Sequence, residues 1–438
     1  MNAFPDPEPL DFVRGDATGL AIPAHAEALR LAGTEFLTRA FHAFGSLAPD
    51  NRVARIRRCE SFSGGNSGDK LVLSLDYARD EPGLDRELFV KFSRDFADAF
   101  RDRRRYELES EVRLAGLSRL PAFPVSAPHP YFADFHHESG TGLVIMQRIL
   151  FGSGNVEPHL HKCMDHELAD PLVYYRPIVT SLARLAAAHK SGRLSPQVEQ
   201  LFPFDAQAAA ADMPIPCDEA QLIERLTRYA DFARACPQLL PPNVSTPEFI
   251  AMLERDAPRF LRHERAVKRF LHANADFIAL CHWNANIDNV WFWCDAAGTR
   301  HCGLLDWGMV RQMNMAYSLW SSLSMTTLEV WDRHLDELLD LYIGTLHEEG
   351  GPRLDLAELK LHLDLAVAVI GLALMSDAPA LILSRMPEAA QASGPLDPIL
   401  DRDSVVRGFL QGFRSFLNLW ERHDFGASLD QMLARDAS

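Results

Sequence analysis

The sequence predicts an α+β protein of two lobes: a small β-rich N-terminal lobe and a large, mainly helical C-terminal lobe. Three observations carry this expectation. Short apolar runs with a period of two fill the first third of the chain. From residue 171 onward apolar residues recur mostly at helical spacing. One β-rich stretch, "NVWFWCDAAGTRHCGLLDWG" (289–308), interrupts that helical part as two runs around an Asp-Ala-Ala-Gly-Thr turn. At 438 residues the chain is long enough to bury two or three cores.

The elements follow in order. After a loose start, "AHAEALRLAGTEFLTRAFHAF" (24–44) reads as an amphipathic helix and closes an N-terminal extension, 1–50. The period then changes. "VARIRRCESFSGGNSGDKLVLSLDYARD" (53–80) reads as strand, Gly/Ser/Asn turn and strand, and "RELFVKFS" (86–93) as a third strand. "FADAFRDRRRYELESEVRLAGLSRL" (96–120) returns to helical spacing with a densely charged face, and "TGLVIMQRI" (141–149) is a further strand. These make an N-lobe over 51–150, joined to a helical lobe over 151–438 near Met146 to Gly154. "PLVYYRPIVTSLARLAAAHKSG" (171–192) opens the helical lobe, and prolines near 214–216 and 241–242 break it.

The composition, 47% hydrophobic and 24% charged, is that of a globular protein. A formal charge of −16 argues against a general nucleic-acid binder, because phosphate contacts need a basic surface. The start "MNAFPDPEPLDFVRGD" does not read as a signal peptide. The longest uncharged apolar run, Leu365 to Met375, falls short of the ~20 residues that span a membrane and reads as a buried helix. Seven dispersed cysteines suggest free thiols in a reducing compartment, so a cytoplasmic location is expected.

Phosphoryl transfer from ATP requires that phosphates be held, metal ions placed and an acceptor hydroxyl aligned. Each need has a candidate. In the turn "FSGGNSG" (62–68), Gly64, Gly65 and Gly68 would let backbone amides approach a phosphate chain, although taken alone these residues read better as a plain Gly-rich hairpin turn. It is not a Walker A loop, since "GGNSGDKL" lacks the Gly-Lys-Ser/Thr ending. Lys91 sits inside the apolar strand "LFVKF", where its ammonium must find an anion or reach solvent at an edge. Glu111 on the next helix is its candidate partner, with Glu107 and Glu109 as rivals. "HWNANIDN" and "GLLDWG" place His282, Asn284 and Asn289 as His-x-Asn-x-x-x-x-Asn ahead of Asp306. Asn289 and Asp306 supply the hard oxygen donors that Mg²⁺ prefers, and His282 would brace the loop.

Two other constellations are read as structural. His159, His161, Cys163 and His166 match no tetrahedral zinc spacing and suit a solvated loop. Trp291, Trp293 and Trp307 suit hairpin and core packing.

Taken together, "SGGNSG", Lys91, Glu111, "HWNANIDN" and "LLDWG" resemble the aminoglycoside phosphotransferase and choline kinase-like family, within the protein-kinase-like fold. The chain looks most like the ecdysteroid-kinase-like phosphotransferases, over roughly 55–325. The resemblance implies a bilobal kinase-like fold, ATP and Mg²⁺, and a small-molecule acceptor bearing a hydroxyl. It also implies an acceptor pocket made by the helical lobe, chiefly 155–280 and 315–400. There are departures. The family's catalytic-loop aspartate falls at Asn284, whose amide cannot act as a base; the His common two positions later is Asn286; and the acid common beyond the metal-binding Asp is missing from "MVRQMNMAYSLW". Asp288 is a substitute proton acceptor to consider. Two functions therefore stand: a small-molecule kinase with an atypical Asn at the base position, or a nucleotide-binding pseudokinase or regulatory module.

Overall fold

The computed structural model describes residues 11–62, 64 and 67–436. The chain divides into two compact units. The first runs through Val156 and includes Gly303–Val310; the second comprises Glu157–Cys302 and the chain from Arg311 onward.

In the first unit a short hairpin, β1 (Phe12–Arg14) and β2 (Ala21–Pro23), leads into α1 (Ala26–Phe44). An antiparallel sheet follows, built from β3 (Val53–Ser61), β4 (Lys70–Tyr77), β5 (Glu87–Phe92), β6 (Pro130–His136) and β7 (Thr141–Gln147) in the order β3-β4-β5-β7-β6. Between β5 and β6 lie α2 (Ala99–Asp102) and α3 (Glu107–Leu117). Side chains alternate across a sheet, and here both faces are covered. Leu71, Leu73, Val90 and Phe92 pack with Leu37 and Phe41 of α1. Ala133, Phe135, Val144 and Met146 pack with Leu108 and Ala115 of α3. Because Val90 and Phe92 face α1, Lys91 between them faces the α3 side.

Three features differ from the sequence expectation. The charged helix over 96–120 is two helices: Asp98 caps α2, and a turn over 103–106 separates it from α3. α1 is interrupted at Gly33, whose φ of 58° leaves the helical region. β6 was not anticipated, because Asp134 breaks the apolar run "PYFADFH". That carboxylate is fully buried and accepts from the backbone amides of Ala17 (3.1 Å) and Thr18 (3.0 Å), more than a hundred residues away.

The second unit is mainly helical: α4 (Leu172–Lys190), α5 (Val198–Leu201), α6 (Ala206–Ala211), α7 (Glu219–Ala235) and α8 (Pro247–Ala273) precede the only long β-containing stretch among its described residues. There β8 (Ile278–Cys281), β9 (Val290–Cys294), β10 (Arg300–Leu304, whose last two residues are counted in the first unit) and β11 (Arg311–Asn314) form two pairs. β9 and β10 make the expected hairpin, its turn held by Asp295, which accepts from Ala297 N and Thr299 N at 2.9 Å each. β8 pairs antiparallel with β11, Cys281 opposite Arg311. Then come α9 (Met315–Leu323), α10 (Leu328–Glu348), α11 (Leu356–Leu374), α12 (Ala378–Arg385), α13 (Ser404–His423) and α14 (Phe425–Asp436). The apolar run anticipated as a buried helix is the second half of α11, buried from Leu365 through Leu372. Among the described residues no single helix is long and apolar enough to cross a membrane, although α11 and α12, bent by 42° at their break, pass that test as a pair.

Candidate active site

In the first unit the chain brings three of the singled-out side chains together. Lys91 Nζ lies 3.0 and 2.9 Å from the two carboxylate oxygens of Glu111 and 3.1 Å from Asp306 Oδ1. Lys91 and Glu111 are 9% and 5% exposed, whereas the Asp306 side chain is about half open at 48%. The rival acids are engaged elsewhere: Glu107 by Arg104 at 2.6 Å, and Glu109 by Arg113 at 2.6 Å and His137 at 3.2 Å. Burial opposes the Lys91 charge, but Asp306 and Glu111 together outweigh it and leave the ammonium's pKa raised.

Asp306 owes its position to local backbone chemistry. It follows β10 with φ +60°, a left-handed conformation that Asp tolerates better than most residues. Trp307 locks the turn: its Nε1 donates to the Leu304 carbonyl at 2.9 Å, and its ring meets Phe123 edge-on at 6.0 Å.

Of the loop glycines, Gly68 has a strict requirement. Its φ is +52°, and a Cβ there would fall 1.8 Å from the Phe92 carbonyl oxygen. Gly64 also has a positive φ, and its carbonyl accepts from Arg101 Nη2 at 2.9 Å. Gly65 lies outside the described residues.

The sequence reading missed Lys70. It stands directly opposite Lys91 in the β4–β5 ladder, is 9% exposed, and donates to the Ser67 carbonyl at 2.6 Å. Burial first, then the nearby Lys91 and Arg101 charges, push its pKa down to about 8. Its signature was there to find: a lysine that opens an apolar strand immediately behind a glycine loop. Two ammonium groups, Lys70 and Lys91, and two carboxylates, Glu111 and Asp306, thus gather at this end of the sheet.

In the second unit, His282, Asn284 and Asn289 share the loop between β8 and β9. The three closely spaced asparagines knit it together. Asn289 Nδ2 donates to the Asn284 carbonyl at 2.9 Å, Asn286 Nδ2 donates to Asn284 Oδ1, and Asn289 N donates to the Asn286 carbonyl at 2.8 Å. His282 is 1% exposed, and its Nδ1 accepts from Asn284 N at 3.0 Å. α9 supports the same loop from beneath: Ser318 Oγ donates to the His282 carbonyl at 2.6 Å, and Ser321 Oγ donates to the Trp283 carbonyl. Asp288 is already occupied, with Lys162 Nζ 3.5 Å from its carboxylate and His159 donating to its carbonyl at 2.9 Å.

No family model and no curated protein matches the chain. Solved structures do. Choline kinase from Cryptosporidium parvum Iowa II matches with a TM-score of 0.42 and 13% identity, over 87% of this chain and 92% of that one. The microcompartment-associated aminopropanol kinase matches with a TM-score of 0.41 and 13% identity, over 88% and 98%. The GDP complex of wild-type aminoglycoside 2′-phosphotransferase-IIIa matches with a TM-score of 0.38 and 12% identity, over 88% and 99%. By name, these similar structures are kinases or phosphotransferases of small molecules.

Proposed function

We propose that this chain is an ATP-dependent phosphotransferase acting on a small-molecule hydroxyl, nearest in its motifs to the ecdysteroid-kinase-like group. The observation that carries the reading is the buried Lys91, held at once by Glu111 on a helix and by Asp306 in a left-handed turn. A strand lysine fixed in this way is aimed at a phosphate chain rather than at solvent. Gly64, Gly65 and Gly68 would admit the phosphates to backbone amides.

The donors suit Mg²⁺. Asp306 offers a half-open carboxylate, and Asn289, with its amide nitrogen spent on the Asn284 carbonyl, offers its amide oxygen. When bound, the ion would neutralise charge on the transferring phosphates. His282 holds the backbone of the loop, and Asn284 takes the position from which an acceptor hydroxyl is oriented.

Asn284 favours one other reading, a nucleotide-binding pseudokinase, because an amide accepts no proton. A single substitution separates the two. In Asn284→Asp one carboxylate oxygen keeps the bond from Asn286 Nδ2 and the other becomes a proton acceptor. Phosphoryl transfer to a panel of hydroxyl metabolites, followed by ATP consumption, should rise by roughly a hundredfold, the lower end of the range of general-base assistance. Turnover at background in both proteins, with Mg²⁺-ATP still bound, would establish the pseudokinase. A fall from substantial parental activity would mean that the amide itself orients the acceptor.

Lys70 gives a pH dependence. With a pKa of about 8 it is mostly an ammonium at pH 7 and mostly neutral at pH 9.5. Only the ammonium attracts a polyphosphate, so binding favours proton uptake. Mg²⁺-ADP affinity should therefore fall above pH 8, approaching tenfold per pH unit for the one proton taken up. Calorimetric titration from pH 7.5 to 9.5 checks this, and Lys70→Met should be weaker and pH-independent over that range.

A further inference from the structure

The proposed function leaves one cation beside the glycine turn without a part, Arg101 on α2. We infer that Arg101 is a positioning residue for the phosphate chain: its planar fork ties the turn, at the Gly64 carbonyl, to the acid-rich stretch that precedes α3. The inference rests on the phosphotransferase reading.

The turn is fastened at its base by main-chain bonds. Phe62 N donates to the Lys70 carbonyl at 2.8 Å, Asp69 N to the Arg94 carbonyl at 3.0 Å, and Phe92 N to the Asp69 carbonyl at 2.9 Å. β3 ends at Ser61 and β4 begins at Lys70, so what lies between them needs other anchors. Two of its carbonyls are held by cations: Gly64 by Arg101 Nη2 at 2.9 Å, and Ser67 by Lys70 Nζ at 2.6 Å. This matters for an anion. Carbonyl oxygens repel phosphate and amide hydrogens attract it, so a turn that admits phosphate keeps its carbonyls occupied by donors.

Three acids place Arg101 for this task. Asp98 caps α2, accepting from Phe100 N at 2.9 Å and Arg101 N at 3.2 Å. Asp95 Oδ1 accepts from Ala97 N and Asp98 N at 3.2 Å each, and Asp95 Oδ2 lies 3.0 Å from Arg101 Nη1. Asp102 grips Arg94 at 2.6 and 3.0 Å and accepts from Asp95 N at 3.2 Å, which fixes Asp95 in turn.

The Arg101 and Asp95 side chains are only 21% and 12% exposed. Arg101 Nε is buried with no hydrogen-bond partner among the described residues. An arginine that served only to pair with an acid would do so from the surface, with every nitrogen in water. Two terminal nitrogens in one rigid plane let a single side chain hold an acid and a carbonyl together, a geometry that lysine lacks. The guanidinium also acts on Lys70. Burial lowers the Lys70 pKa most; Lys91 and Arg101 lower it further, and Asp306 and Glu111 raise it.

The test compares the full chain with Arg101→Gln, which removes the charge, and Arg101→Lys, which keeps the charge without the planar fork. Mg²⁺-ADP affinity is measured by calorimetry from pH 7.5 to 9.5, and backbone order at Gly64 and Gly68 by relaxation of ¹⁵N-glycine-labelled protein without nucleotide. Both variants should bind Mg²⁺-ADP about tenfold more weakly at pH 7.5, the low end of what a hydrogen bond to a charged group is worth. Order at Gly64 should fall in both, with melting temperatures close to the parent's.

The pH profile separates the two variants. In Arg101→Gln the fall in affinity should move to higher pH, because Lys70 keeps its proton longer; in Arg101→Lys it should stay in place. A general loss of structure would not shift one profile and spare the other. Parental affinity in both variants overturns the inference. So does weaker binding with unchanged order at Gly64, which would mean that the guanidinium meets the nucleotide directly. If the parent binds no Mg²⁺-ADP, the phosphotransferase reading falls, and order at Gly64 decides alone: a drop in both variants upholds Arg101 as the anchor of the turn, and no change overturns it.

Discussion

Asp306→Ala is expected to abolish Mg²⁺-dependent nucleotide binding and to lower any phosphoryl transfer by about 10²–10³-fold, the scale on which a single electrostatic group at a reacting centre acts. The fold should survive, because a carboxylate 48% exposed at the end of a hairpin supports little packing. Alanine at φ +60° carries a backbone cost of about 1–2 kcal/mol that aspartate largely avoids. Asp306→Asn is therefore the matched control: it accepts the left-handed conformation and keeps the side-chain shape, yet loses the charge. Both variants should fail to bind Mg²⁺-ADP in calorimetric titration while melting close to the parent. If Mg²⁺-ADP binds Asp306→Ala as well as it binds the parent, the metal assignment is wrong.

Lys91→Ala should lose both function and stability, and the two losses can be pulled apart. Removing the ammonium leaves Glu111 buried without a counter-charge, a change that typically costs about 3–5 kcal/mol. Burial, followed by the nearby Asp306, already pushes the Glu111 pKa up. Without Lys91 it rises further. A carboxyl group with a raised folded-state pKa is tolerated below its unfolded pKa, and its penalty grows as pH rises toward the folded value. The deficit relative to the parent should thus be smaller at pH 5 than at pH 8 in urea denaturation. Lys91→Met combined with Glu111→Gln should recover most of the stability and none of the nucleotide binding. Nucleotide binding unchanged in Lys91→Ala would remove Lys91 from the site.

What was legible in the sequence was whatever violated a local rule. Lys91 interrupts an apolar strand, and the cluster of asparagines precedes one, so both drew attention without any three-dimensional information. Choosing Glu111 over Glu107 and Glu109 needed the structure, because three acids spaced two apart on one charged helix are distinguished only by what their neighbours hold. Lys70 escaped because a lysine beside Asp69 at the mouth of a strand looks like a solvated edge; its burial comes from packing contributed by β5. β6 was hidden by Asp134, whose satisfied partners lie far away in sequence. β8 and β11 are four residues each, too short to show a period, and exist by pairing with one another. A cavity of about 560 Å³ in the second unit was hidden for the same reason: its wall is assembled from Phe204, His272, Trp283, Arg311, Tyr317 and Ile370, which no local pattern links.

The pairing of Lys70 with Lys91 carries an evolutionary consequence. Like charges directly opposite each other on one face of an antiparallel ladder destabilise the sheet. A threonine or valine at position 70 would pair better with its neighbours and suit the pleat. Selection for thermostability alone would therefore drift this position toward a neutral β-branched residue, whereas retaining lysine keeps the sheet below its attainable stability. Position 70 is thus where stabilisation campaigns on this protein and preservation of the proposed phosphate site would pull in opposite directions, the usual shape of a trade-off between robustness and activity.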